Sequence, residues 1–180
     1  MRKNQAAFTI IELMVTLAVL AIVLGIAIPS FTAQIQNNRI KALTEDLVTS
    51  MNFARMEALK RGKRVSVCAS VNGTACGGGW ADGWITFIDG AASDVAATPV
   101  ISNAADILRV QQKAGDGASI GETNSKTFLR YTATGMLGRT DNNNAIAITI
   151  SSTGCKANVA KKININLAGM VSVDSVACTQ

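Results

Sequence analysis

The sequence predicts an α+β protein in which the second half of a long N-terminal helix packs on an antiparallel β-sheet. Three observations lead there. Phe8 to Ile28 is an apolar run, interrupted only by Glu12 among charged residues. Beyond Pro29 apolar residues recur at helical spacing. The remaining residues fall into short alternating runs separated by turn-rich stretches, the pattern of strands joined by loops.

The apolar run sets the topology. Arg2 and Lys3 precede it, and Leu13 to Ile28 holds no charge and a single hydroxyl, Thr16. Its length suffices for a bilayer, which needs about 20 residues. The leading cations predict a cytoplasmic N-terminus and a translocated remainder. A cleaved secretory signal would have a shorter apolar region followed by a small-residue cleavage site. This run instead ends at Pro29 and passes into helical periodicity, so it is read as a retained anchor. Glu12 is its anomaly. A carboxylate in lipid costs about 2.5–3.5 kcal/mol even on mild insertion scales, so it calls for a partner.

The helix continues past Pro29. Ile35, Ile40, Leu43, Leu47, Met51, Ala54 and Ala58 form one stripe, and Asn38, Arg39, Lys41, Glu45, Asp46, Arg55 and Lys60 lie opposite. Lys60 and Arg61 stand where the helix dipole favours cations, and Gly62 is a natural stop. The prediction is one helix from about Phe8 to about Arg61, kinked or locally broken at Pro29.

Strands are predicted over residues 64–69, 84–89, 107–111, 127–132, 145–150, 163–167 and 171–176. In the first, Val65, Val67 and Ala69 share a face. The stretches "GTACGGGWADG", "KAGDGAS", "TDNNNA" and "STGCKA" read as turns, and residues 90–106 as a loop. Trp80 and Trp84 read as packing anchors over the first cysteine loop rather than a ligand-stacking pair.

Composition removes most catalytic chemistry. The chain has no histidine, so the commonest general base and metal ligand is missing. No serine has a basic partner in an S-x-x-K pattern, no carboxylate couple stands out, and "CGGGWADG" lacks the phosphate-loop pattern. No catalytic residue, cofactor or metal site is assigned, and the chain is not expected to be an enzyme. A net charge of +5 does not by itself imply nucleic acid. Cys68, Cys76, Cys155 and Cys178 suit disulfides in an oxidising compartment. Of three connectivities, the local pairs Cys68–Cys76 and Cys155–Cys178 are favoured.

The segment "KNQAAFTIIELMVTLAVLAIVLGIAIPSF" resembles a class III signal: a basic leader with Lys3, small Ala7, then Phe8, and Glu12 at the fifth mature position. "SMNFARMEALKRGKRVSVCAS" followed by "GGGWADGWITFID", and more weakly "LRYTATGMLG", extend the match. The chain thus resembles type IV pilin-like proteins of the GspH/FimT/FimU family of minor pilins and pseudopilins. The resemblance implies the type IV pilin fold. It implies a leader 1–7, a membrane and filament-core half 8–30, an amphipathic half 31–62, and a periplasmic domain 63–180. It further implies prepilin peptidase cleavage between Ala7 and Phe8, N-methylation of Phe8, an assembly role for Glu12 against an α-amine, and Pro29 as the helix-bending proline. Ala7 departs from the family's usual glycine.

The favoured role by resemblance is a FimU-like minor pilin, with other minor and major pilins and prepilin peptidase as partners. It sits in the bacterial inner membrane, then in the pilus. The alternatives are a DNA-uptake pilin and a GspH-like pseudopilin of type II secretion. DNA uptake is disfavoured because Gly169-Met170-Val171-Ser172 stands where DNA-binding relatives carry Gly-Arg-x-Arg. Lys156, Lys161 and Lys162 remain a weak phosphate-contact candidate. Lys60, Arg61, Lys63 and Arg64 are explained by the helix end.

Overall fold

A computed structural model describes residues 9–115, 117–122, 127–138, 145–152, 155 and 159–178. The chain divides into two units, Met1–Asn37 and Asn38–Gln180. One helix, α1 (Ile10–Arg61), contributes to both, and its backbone stays helical through Pro29 without a local break.

In the first unit Thr9 begins the helix. Its side-chain oxygen accepts the Glu12 backbone N–H at 3.2 Å, and its carbonyl accepts that of Leu13 at 3.1 Å, satisfying donors that a helix start leaves open. Ile10–Ala27 is long and apolar enough to cross a membrane, and none of it is buried. Ile35, assigned by spacing to the buried stripe, is exposed here.

In the second unit the stripe does its expected work. Ile40, Leu47, Met51, Ala54 and Ala58 are buried, each burial of a large apolar side chain being worth about 1.5–3 kcal/mol. They pack on two antiparallel four-stranded sheets rather than one. The strands are β1 (Val65–Ala69), β2 (Trp84–Ile88), β3 (Ile107–Gln111), β4 (Ala118–Glu122), β5 (Phe128–Tyr131), β6 (Ile146–Ser152), β7 (Ala160–Ile165) and β8 (Val171–Val176). One sheet has the order β3-β2-β1-β5, the other β4-β6-β7-β8. Both sheets and the helix stripe share one core.

Two elements differ from the sequence pattern. β4 falls partly in a stretch read as a turn. Its one large apolar residue, Ile120, gives no alternation to detect, and the strand exists through pairing with β6, where Ile120 faces Ile150. β7 starts at Ala160 and ends at Ile165, because Lys161 and Lys162 pair with β8 despite their charge.

β1 is buried along its whole length. Val65, Val67 and Ala69 join the core beneath the helix, while Cys68 faces a second cluster with Ile85, Phe87 and Phe128. Period-two alternation divides the two faces.

Candidate functional site

The processing site, Ala7 and Phe8, lies outside the described residues. Glu12 is exposed in the first turn of α1. It is an acidic group at a helix start, on an otherwise apolar exposed surface. There the N-terminal end of the helix dipole favours negative charge.

The lysine candidates do not form one patch. Lys156 lies outside the described residues. Lys161 and Lys162 are consecutive on β7, so their side chains leave opposite faces of the sheet. Lys161 Nζ donates to Ser175 Oγ at 2.7 Å. Lys162 stands opposite Asp174 in register. At the helix end, Lys60 and Arg61 share Glu57, and Arg64 pairs with Asp94 while its Nη1 donates to the Ala91 carbonyl at 3.1 Å.

Gly169 has a local steric reason. With φ +75°, a Cβ there would stand 2.3 Å from the Gly135 carbonyl oxygen and 3.2 Å from Tyr131 Cε1. Arg55, assigned to the solvated helix face, closes this contact. Its Nε donates to the Gly135 carbonyl at 3.0 Å and its Nη2 to the Ala168 carbonyl at 3.2 Å. It joins the turn after β5 to the turn before β8, and so the two sheets. Spacing along a helix cannot reveal such a bond, because both acceptors are backbone atoms of remote turns. The Tyr131 hydroxyl is buried with no hydrogen-bond partner among the described residues, and burial pushes its pKa well above the ordinary tyrosine value.

The other face of the β3-β2-β1-β5 sheet holds a buried ion pair. Arg130 and Asp89 are both fully buried, with Arg130 Nε 2.7 Å from Asp89 Oδ2. Arg130 Nη1 donates to the Ala96 carbonyl at 2.7 Å, Nη2 to the Thr98 carbonyl at 3.0 Å, and the guanidinium lies 5.3 Å from the Phe128 ring centre. Asp89 accepts Ser66 Oγ at 2.6 Å and the backbone N–H groups of Ala91 and Val100 at 2.9 Å each. Burial alone would raise the Asp89 pKa. The bonds from Ser66, Val100, Arg130 and Ala91 outweigh it and hold the carboxyl below its ordinary 3.8. The pair fixes the long loop after β2 on the sheet. One signal was present: an arginine inside the apolar run "FLRY" must be neutralised if that strand is buried.

The disulfides join Cys68 to Cys76 and Cys155 to Cys178. The tryptophans do not cover the first of them. Trp84 and Trp80 belong to the core beneath the helix, and Trp84 Nε1 donates to Ser50 Oγ of α1 at 2.9 Å. The register explains this. Ala69 pairs with Trp84 and Cys68 with Ile85, so Trp84 and the disulfide leave opposite faces. Among the described residues, no group of three His, Cys, Asp or Glu side chains is placed to hold a metal ion.

A family model described as type II transport protein GspH matches residues 43–169. A second, the prokaryotic N-terminal methylation motif, matches residues 2–28. Two solved structures share the fold, both crystal structures of the type IV minor pilin FimU from Pseudomonas aeruginosa strain PAO1. The form in space group P21 is 19% identical over 76% of this chain and 89% of that one, with a TM-score of 0.59. The form in P65 is 19% identical over 74% and 91%, with a TM-score of 0.55. At that identity the likeness speaks for the fold alone. No curated protein sequence matches the chain.

Proposed function

The chain belongs to the GspH family, and from that premise we propose that it is a minor pilin of a type IV pilus, priming assembly and sitting at or near the tip with other minor pilins. The observation that carries this is that the methylation motif, at residues 2–28, contains an apolar helical segment, Ile10–Ala27, that is nowhere buried and bears Glu12 in the first turn of α1. That combination suits a segment used twice: first in the inner membrane, then among the helices of a filament. In this reading residues 1–7 are a leader and 8–30 the anchor. The N-terminus is cytoplasmic and the β-domain periplasmic.

Prepilin peptidase cuts between Ala7 and Phe8, and the new Phe8 amine is methylated. Glu12 lies four residues beyond Phe8 in sequence and pairs with the amine of a neighbouring chain during assembly. Pro29 adjusts the helix for packing. Twitching and adhesion are the outputs of such a filament.

The test is Glu12→Ala in the full chain. The variant is expected to accumulate in the membrane with a methylated Phe8, yet be absent from sheared surface filaments. Filaments carrying the variant at the wild-type level would refute the role of Glu12.

The family description, a type II transport protein, favours one second reading: a pseudopilin of type II secretion. Deleting the gene separates the two. Loss of surface filaments and twitching supports the pilus, and loss of exoprotein release supports secretion. The DNA reading has less support, since Lys161 and Lys162 leave opposite faces of β7. Salt-sensitive gel-shift binding by the full chain would restore it.

A further inference from the structure

The loop between β1 and β2 carries the chain's single Asn-Gly step, Asn72-Gly73. Asn72 is exposed to water, and Gly73 is half-buried. Asparagine before glycine can react with its own backbone, because no side chain shields the glycine nitrogen. That nitrogen gives up its proton and attacks the asparagine Cγ, a cyclic imide closes, and the side-chain nitrogen leaves as ammonia. Water then opens the imide at either carbonyl, leaving aspartate or isoaspartate.

The local fold calls for both residues of this labile pair. Gly73 has φ +73°, and a Cβ there would stand 2.9 Å from Val110 Cγ1 of β3, so glycine is required. Asn72 Oδ1 accepts the backbone N–H groups of Thr74 and Ala75 at 3.0 Å each, an Asx turn. The attacking atom is also engaged. The Gly73 N–H donates to Ser70 Oγ at 3.0 Å, and that hydroxyl donates to the Ala75 carbonyl at 2.6 Å. Ser70 is buried, and its own N–H donates to the Gly83 carbonyl at 2.9 Å. The far end of the loop returns to β1 through the Gly77 N–H on the Ala69 carbonyl at 2.9 Å and through Cys68–Cys76. Cys68 lies in the buried cluster with Ile85, Phe87 and Phe128, so one end of the crosslink is fixed.

We propose that Asn72 is a latent self-modification site, held closed by its hydrogen-bonded loop and Cys68–Cys76, and that opening this disulfide starts its deamidation. Ring closure needs the Gly73 nitrogen released from Ser70 and the Asn72 side chain released from Thr74 and Ala75. Both are local openings that the crosslink opposes. Opening consumes a dithiol reductant, which becomes a disulfide while Cys68 and Cys76 become thiols. Isoaspartate at position 72 adds a methylene to the backbone, so the loop cannot close again on the same set of bonds. A transient reduction thereby leaves a permanent mark. Asp82-Gly83 and Asp89-Gly90 are internal controls, since an ionised carboxylate resists the same attack.

The test follows position 72 by peptide mapping of the full chain in detergent at mildly alkaline pH, reading aspartate and isoaspartate. Wild type with its disulfides intact should deamidate at least about tenfold more slowly than the same chain in denaturant, because the rate follows the open fraction. Cys68→Ala/Cys76→Ala should recover most of that factor, with Asp82 and Asp89 unchanged. Fluorescence of the buried Trp84 reports whether the rest of the domain stays folded. Intact wild type reacting as fast as the denatured chain, or an unchanged rate in the folded cysteine variant, would overturn the proposal. If the cysteine variant loses the tryptophan signal, Ser70→Ala with both disulfides intact decides. Faster deamidation there sustains the proposal, and an unchanged rate overturns it.

Discussion

The two faces of the β3-β2-β1-β5 sheet are covered by different means. One face lies under α1 and is apolar: Val65, Val67, Leu129 and Trp84 meet Leu47, Met51 and Ala54 in one core. The other lies under the loop that follows β2, and its coverage depends on a buried arginine, a buried aspartate and a disulfide. A helix satisfies its own backbone, so a stripe of apolar side chains is enough to hold it on a sheet. A loop without regular structure carries unpaired carbonyls that need donors when covered. Arg130 supplies those donors to Ala96 and Thr98, and Asp89 neutralises it. The polar face is therefore more specific and more fragile to single substitutions.

The sharpest way to break this contrast is Arg130→Met. It leaves Asp89 buried without its cation and should cost about 3–5 kcal/mol, read as a lowered unfolding midpoint of the full chain in detergent. Adding Asp89→Asn should recover part of the loss, because removing both charges removes the unpaired one. On the apolar face, Leu47→Ala should cost about 2–5 kcal/mol through lost burial and a residual cavity. A loss for Leu47→Ala well above that for Arg130→Met would reverse the ranking of the two faces.

Opening Cys68–Cys76 should cost less, at most about 2–3 kcal/mol by loop-closure entropy. The loop is also held by Ser70 Oγ to the Ala75 carbonyl at 2.6 Å and by Thr74 and Ala75 N–H to Asn72 Oδ1 at 3.0 Å each. Cys68→Ala/Cys76→Ala compared with wild type measures it.

The smallest effect is a pH dependence. The folded Asp89 pKa lies below the ordinary 3.8, so its stabilisation is fully present above that value and is lost as pH falls through the folded pKa. Unfolding midpoints should drop on acidification below about 3.8 in wild type, and Asp89→Asn should show a shallower drop.

How much was legible depends on how local the signal was. The α1 stripe from Ile40 to Ala58 could be read because helical periodicity is written in one short window. Most strands were legible by the same logic, with β1 and β2 within one residue of their ends. Arg55 was misplaced because its spacing fits the polar face, while its partners, Gly135 and Ala168, are remote carbonyls. Trp84 was paired with the wrong neighbour because two tryptophans close to a disulfide loop in sequence need not face it. One residue of register sends a side chain to the opposite face. Arg130 lay in an apolar run, but its partner Asp89 is 41 residues away, across β1.

The sequence by itself determined the α+β class, the apolar N-terminal run with Glu12 in it, the amphipathic second half of α1 and most of the strands. These follow from periodicity, charge placement and residue type, which act over a few neighbours. Only the tertiary structure decided that the described strands form two sheets, that β4 is a strand, and that Arg55 ties the sheets together. Each of these depends on which distant backbone groups and surfaces meet. No short window of sequence contains that information, because pairing and burial are chosen by competition across the whole chain.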